Sequence, residues 1–462
     1  MSAIIPPKCN VHEMMDPLGS QVQRIKFESS EGESVTSAKI FIPNTRNAYM
    51  KCKNSWLTFT CEATINGTQL PTGSETANLY LDPMGACAFI QKITLLQDDF
   101  PVASIDNFQK IYSILQVAQA NSNTYGLRGA TIGASAESDA QWNRLQGNRI
   151  VEVYGAGQTG TTATKFLTPK MTFSIPLIGI LGDANIPLTF LRSGLEIRIT
   201  WTDSVQKVFY TRPYGSGATA GTITDRGSMK FTNVVWDAEI TTLDDSSQLE
   251  VERENGYSKR SKDKIIEWSD TLPYALTNDV DVKSLQQPTI STEIVAGFRY
   301  KSLRSIYYAN FAVTANDGMN PVNVPHFCPH EIQYRINGVE HPKQPVKTLS
   351  DIVQHTNAVN ANISQSVVSG LMCEHFSDRH WRPQEAVPSA APRFNDRCVF
   401  GLDLQSFPDV GNISGLDTTD GDVEATLTYN SVSTGVKKVN QTWVAIFDCI
   451  YSIRDGVLRR SN

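Results

Sequence analysis

Residues 171–201 read MTFSIPLIGILGDANIPLTFLRSGLEIRITW, and this stretch decides the fold class. Met171, Phe173 and Ile175 alternate with Thr172 and Ser174 until Pro176 stops the run. Gly179 and Gly182-Asp183 supply bends, Ile186 to Leu191 forms a second apolar run, and Arg192-Ser193-Gly194 turns the chain again. Leu195, Ile197, Ile199 and Trp201 then face one way, and Glu196, Arg198 and Thr200 the other. A period of two marks a strand with one buried and one polar face. The expected order is strand, turn, strand, turn, strand, with no feature of a catalytic loop.

The same alternation recurs on both sides. Ala38, Ile40 and Ile42 begin the strands, and Pro43-Asn44 ends the first. Trp56 to Ile65 places Leu57, Phe59, Cys61, Ala63 and Ile65 inside, and Asn66-Gly67 is read as its turn. Further strands are expected at Phe89–Leu96, Met229–Ile240, Ile265–Trp268, Leu303–Val313, Glu331–Ile336, Cys398–Leu404, Val423–Tyr429 and Trp443–Ile453. Two helices interrupt them. Ser104 is placed to cap one over Ile105 to Val117, and Thr348 opens another with Leu349, Ile352, Val353, Thr356 and Val359 on its inner side. Residues 119–165 and 203–227 are rich in Gly, Thr, Ser, Asn and Ala and read as long surface loops, with a short strand at Ile150–Tyr154 in the former.

Composition bounds what such a chain can do. It has 462 residues, of which 40% are hydrophobic and 19% charged, the latter below the ~25% of an average soluble protein. Its formal charge of −6 argues against wholesale phosphate neutralisation. No apolar run reaches the ~18 residues a membrane helix needs, and MSAIIPPKCNVHEMMDP lacks a secretory apolar segment. The eight cysteines form no CxxC pair and are expected to be reduced and mostly buried. The sequons at Asn66 and Asn412 are then expected to stay unglycosylated.

Residues 1–27 read as an irregular arm that orders only against something else. A composition break at 243–264, where half the residues are charged, marks a boundary. The expected organisation is therefore an arm at 1–27, a first unit at 28–243, a charged linker at 244–266, a second unit at 267–455 and a tail at 456–462. The units echo each other: Ile90-Gln91-Lys92, a polar turn, Pro101-Val102 and a helix are matched by Ile332-Gln333-Tyr334, Asn337-Gly338, Pro345-Val346 and a helix. Each unit also ends on a strand with a tryptophan, Trp236 or Trp443. The expected fold is all-β, with two copies of one β-sandwich in tandem.

IPLIGILGDANIPLTFLRSGLEIRITW resembles a passage of the double jelly-roll major capsid proteins of eukaryotic DNA viruses, the lineage of polinton-like viruses, virophages and adintovirus-like relatives. LDPMGACAFIQKITLL at 81–96 with IDNFQKIYSIL at 105–115 is similar to their strand-then-helix passage, and HEIQYRINGVEHPKQPV at 330–346 to its equivalent in the second roll. The matches span about residues 35 to 455. The resemblance implies two tandem eight-stranded jelly rolls, each with a short helix and long surface loops. It implies pseudo-hexagonal homotrimeric capsomers that tile an icosahedral shell, with neighbouring capsomers, penton proteins and minor or cement proteins as partners. The loops at 119–165, 203–227, 316–330 and 373–396 would then rise outward, and the chain would reside in the virion. The alternatives are a tandem β-sandwich module binding carbohydrate or a receptor, and a β-sandwich hydrolase using loop carboxylates.

Motifs suggestive of chemistry are sparse. Gly155-Ala156-Gly157-Gln158-Thr159-Gly160 matches GxGxxG, but β-branched residues and Pro169 follow where a dinucleotide fold needs a helix. His326, Cys328 and His330, with Cys373, His375 and His380, would supply six soft ligands if their loops met, yet the spacing fits no zinc finger. Asp98-Asp99, Asp244-Asp245 and Asp420/Asp422 are acidic pairs in turns, where carboxylates are usually solvated. Arg454, Arg459 and Arg460 form a basic tip read as solvated. The expectation is no catalytic, cofactor or metal residue, no cofactor, no enzymatic activity and no specific nucleic-acid site.

Overall fold

The structure is a computed structural model that describes residues 19–70, 77–119, 131–133, 138–139, 144–145, 163–213, 222–254, 266–281, 290–312, 322–323, 331–346, 399–405, 415–429 and 438–461. Sixteen strands carry its architecture. The first eight are β1 (Ser20–Glu28), β2 (Ser37–Ile42), β3 (Ala48–Leu70), β4 (Ile90–Gln97), β5 (Phe100–Asp106), β6 (Met171–Ile175), β7 (Leu195–Trp201) and β8 (Thr222–Leu243). The next eight are β9 (Ile266–Asp281), β10 (Ile290–Val295), β11 (Leu303–Ala312), β12 (Glu331–Ile336), β13 (Val339–Val346), β14 (Phe400–Asp403), β15 (Val423–Tyr429) and β16 (Lys438–Arg454).

The pairing defines the fold. One sheet of the first half runs β1-β8-β3, with β6 on the far edge of β3, and the other runs β2-β7-β4-β5. In the second half the sheets run β9-β16-β11-β14 and β10-β15-β12-β13. Adding eight to each first-half strand gives the second-half order, and every one of these pairs is antiparallel. Two four-stranded sheets interleaved in this way make a jelly roll, and the chain contains two.

The alternation sets the faces as expected. Leu57, Phe59, Cys61, Ala63 and Ile65 are fully buried, as are Leu195, Ile197 and Ile199, with Trp201 nearly so. Across the first sandwich Trp201 of β7 stacks on Phe231 of β8 with ring centroids 4.0 Å apart, and its indole Nε1 donates to Ser34 Oγ at 2.9 Å. In the second, Trp443 of β16 lies 4.3 Å from Tyr308 on β11 and meets Tyr334 of β12 edge-on at 5.9 Å. Trp443 and Tyr308 are neighbours within one sheet, whereas Trp201–Phe231 and Trp443–Tyr334 cross between sheets, and such crossing pairs are the centre of a sandwich core.

Several local expectations are corrected. Residues 20–27, read as part of an arm, lie in strand β1, which pairs with β8 from Ser20↔Leu243 to Glu28↔Val235. Strand β3 continues through Asn66-Gly67 to Leu70, because β8 and the segment Ala163–Leu167 hydrogen-bond both its edges there. Helix α1 is Phe108–Gln119, since Ser104 to Asp106 pair with β4 instead. Asn107, at φ 54°, makes the break between strand and helix. The run Ile186–Leu191 is a three-residue strand, Asn185–Pro187, followed by a 3-10 turn. Within 203–227, Phe209–Pro213 pairs with Ala77–Leu81. The charged stretch contains helix α2, Asp245–Glu254, and the supposed tail contains strand Val457–Ser461, paired with β16. The helix read at 348, the strand at 150–154 and the loop at 373–396 lie outside the described residues.

Candidate assembly surface

Several buried polar groups lie where the two rolls meet. At the end of β4, Gln97 is almost fully buried; its Nε2 donates to the Gly456 carbonyl at 2.9 Å and its Oε1 accepts from the Leu458 N–H at 2.6 Å. The Arg192 N–H donates to the same Gly456 carbonyl at 2.9 Å. The turn Asp455-Gly456 has φ of 54° and 76°, the pair of positive angles a two-residue hairpin demands, and a Cβ on Gly456 would lie 2.8 Å from the Arg192 nitrogen. Gly456 is therefore where a left-handed turn and a close backbone approach coincide.

A second buried contact joins distant sequence. Asp82 Oδ2 accepts from the Asn323 N–H at 3.1 Å and from its Nδ2 at 3.3 Å. Asn323 Nδ2 also donates to the Lys207 carbonyl at 2.7 Å, and Ser113 Oγ donates to the Asn323 carbonyl at 2.5 Å. From α1, Lys110 Nζ donates to Asn440 Oδ1 on β16 and lies 5.6 Å from the centre of the Phe311 ring. Burial pushes its ammonium down to about 8, against the opposing pull of Asp279.

Between these points the contact is apolar. The turn at Gly179 faces Leu272 and Pro273 of β9, whose nearest atoms lie 3.5 and 3.6 Å from the position of a Cβ there. Beside it sits Asp270. Its Oδ1 accepts from the Thr271 N–H at 2.7 Å, and its buried Oδ2 has no hydrogen-bond partner among the described residues. Burial pushes this carboxyl up to about 7; Asp183 of the first roll and Asp448 push the same way, and Arg304 and the Thr271 N–H oppose them. Asp448 is held by Ser302 Oγ at 2.5 Å and Arg304 at 3.6 Å. With these contacts, buried residues of both rolls form one continuous core.

A shallow open cavity lies at the far end of the second roll, lined by Arg335, Asn337, Gly338, Asp417, Asp420 and Glu424 among others. Asp422 there pairs with Arg299 at 3.0 Å. Asp417 accepts from both the Thr419 N–H and hydroxyl, which hold its carboxyl below the usual range. These are turn carboxylates facing water, and their arrangement offers no buried acid–base pair.

The other residues singled out in the sequence are scattered. Asp98 and Asp99 form the β4–β5 hairpin turn, and Arg192 holds the Asp98 carboxyl low through bonds of 2.8 and 3.1 Å. Asp244 caps α2 by accepting from the Ser247 N–H at 2.7 Å, and Asp245 pairs with Arg46 at 3.0 Å. Arg459 and Arg460 are exposed on the last strand. Cys52, Cys61, Cys87 and Cys449 are free and buried, with thiols pushed up by burial. Gly155 to Gly160, His326, Cys328, His330, Cys373, His375 and His380 lie outside the described residues. Among the described residues no group of three or more His, Cys, Asp or Glu is placed to hold a metal. Sequence reasoning missed Gln97, Asp82, Asn323 and Asp270, whose partners lie on distant segments and leave no local pattern.

No protein-family model and no curated sequence matches the chain. Solved structures do. The Sputnik virophage chain aligns with a TM-score of 0.57 and 12% identity over 97% of this chain and 89% of its own. The Faustovirus major capsid protein gives 0.55 and 10% over 95% and 91%, and the mavirus major capsid protein 0.54 and 9% over 97% and 92%. At such identity the likeness is one of fold, and it extends over both rolls. The chain has the double jelly-roll fold of viral major capsid proteins.

Proposed function

We propose that this chain is a major capsid protein, a structural and non-enzymatic component of the virion that works by associating with copies of itself. One observation carries the reading: two rolls of identical strand order are locked together through a buried seam, and the pair aligns nearly end to end with capsid chains. In the proposed assembly three chains make a pseudo-hexagonal capsomer, capsomers tile an icosahedral shell, and penton and minor capsid proteins fill the remaining contacts. An obligate interface of this kind commonly buries about 2,000–5,000 Å².

The test is light scattering on purified protein after size exclusion. A capsomer has a mass of about 150 kDa, three chains of 51.0 kDa each. Electron microscopy of particles formed from the purified chain would show hexagonally outlined tiles. A stable monomer at every concentration refutes the reading and returns the tandem binding module as the better account.

A further inference from the structure

Asn440 lies near the start of β16, opposite Asp279 of β9 on one side and Phe311 of β11 on the other. Directly opposite residues on neighbouring strands share a face of the sheet, and Thr442, two positions on, shares it too. Helix α1 of the first roll brings Lys110 to that face, where its Nζ donates to Asn440 Oδ1 and lies 5.6 Å from the centre of the Phe311 ring. Asn440, Phe311 and Thr442 are buried. The hydrogen bonds fix which way the amide points. Asn440 Nδ2 donates to Asp279 Oδ1 at 2.6 Å, and an ionised carboxylate only accepts. The amide oxygen is therefore the atom turned to Lys110 and to the Thr442 hydroxyl, which donates to it at 2.9 Å.

An amine, an amide carbonyl, a hydroxyl aimed at the carbonyl oxygen and a carboxylate on the leaving nitrogen are the components of acyl transfer. The hydrogen bond from Nζ to Oδ1 leaves Cγ, one C=O bond of about 1.2 Å further, within about 4 Å of the amine. Folding itself brings nucleophile and carbonyl together. Burial favours the neutral, nucleophilic amine; Lys207 pushes the same way, and Asp279 opposes.

We propose that Lys110 and Asn440 form an intramolecular isopeptide bond that ties helix α1 of the first roll to β16 of the second. Nζ of the neutral amine adds to Cγ, and an electron pair of the C=O bond moves onto Oδ1, where the Thr442 hydroxyl stabilises it. Asp279 takes the proton that Nζ sheds and passes it to Nδ2. The Cγ–Nδ2 bond then breaks, the carbonyl re-forms and ammonia leaves. Amine and primary amide become secondary amide and ammonia, so no oxidant or co-reactant is needed. The product joins positions 330 residues apart and keeps the rolls connected when the hydrogen-bonded seam opens.

Intact-mass spectrometry of the purified full chain reads the bond directly. The parent should weigh about 17 Da less than its sequence, the mass of the ammonia lost. Trypsin should release a branched peptide joining residues 93–128 to 439–454 through Lys110, which is then no longer a cleavage site. Lys110→Arg keeps a cation on α1 and should restore both the full mass and the separate 439–454 peptide. Asp279→Asn should slow the reaction at least about tenfold, read as the cross-linked fraction against time after pulse-labelled synthesis. A parent that retains its full mass and yields 93–110 and 439–454 separately overturns the proposal, as does a mass loss that persists in Lys110→Arg. The readout does not depend on oligomeric state, so the bond and the capsid reading fail independently.

Discussion

Replacing Asp270 with asparagine should stabilise the protein, by an amount that depends on pH. The folded chain holds a proton on this carboxyl up to about pH 7, whereas the unfolded chain releases it near 3.8. The folded state therefore binds more protons across that window, and stability falls as pH rises from about 4 to about 7. The difference corresponds to about 4 kcal/mol, at 1.36 kcal/mol for each tenfold change in proton affinity. Asparagine cannot ionise, keeps an oxygen to accept from the Thr271 N–H, and offers an amide donor where Oδ2 is now unpartnered. The charged groups nearby, Asp183, Arg304 and Asp448, stay in place. The assay is urea denaturation of parent and Asp270→Asn at pH 4.5, 5.5, 6.5 and 7.5, following the first transition. The variant's advantage should widen by about 3 kcal/mol between pH 4.5 and 7.5, most of it above pH 5. A gap that stays constant with pH, or a variant less stable than the parent at pH 7.5, refutes the assignment of a buried, proton-holding carboxyl beside the seam.

Other substitutions separate the faces and the contacts. Ile197→Asp should prevent folding and with it the proposed self-assembly, because a carboxylate without a partner in a fully buried site costs several kcal/mol, whereas Glu196→Gln should cost no more than about 1 kcal/mol; expression in soluble form and light scattering distinguish them, and equal effects would mean the faces are reversed. Gln97→Ala leaves the Leu458 N–H without its acceptor and should cost about 1–3 kcal/mol, with faster amide exchange at Val457–Ser461 than on β16. Gly456→Ala combines a left-handed φ with a clash against the Arg192 backbone and should lower stability by more than 1 kcal/mol, whereas Gly338→Ala, with nothing within 4 Å, should cost less. Thermal denaturation of the last two side by side measures the clash alone.

The strands that build the cores were legible because one face of each is apolar, as in β3 and β7. Strand β1 was not, because SQVQRIKFE exposes nearly every side chain and is held by its backbone ladder to β8. Helix α2 was hidden by its charge; Leu249 and Val251 are its only large apolar residues, and capping by Asp244 supports its start. The last strand did leave a signal. Asp455-Gly456 between Ile453 and Val457 is the hairpin dipeptide already recognised in Asn337-Gly338, and it predicts a strand in place of a tail. The seam was illegible for a different reason. Gln97 meets Leu458 across 361 positions and Asn323 meets Asp82 across 241, and nothing in either neighbourhood records the distant partner.

The long central strands also govern how the molecule comes into being. In the first roll Ala48 pairs with Thr242, and in the second Ile266 pairs with Ile453. Each central sheet therefore waits for its eighth strand before its ladders can close. Fold nuclei that join such remote segments pay a large loop entropy in advance, so folding should be slow. Until then β3 shows the edge that β8 will fill, and an apolar face, to every neighbouring chain. Concentration during synthesis, rather than final stability, then sets the yield of correctly built subunits.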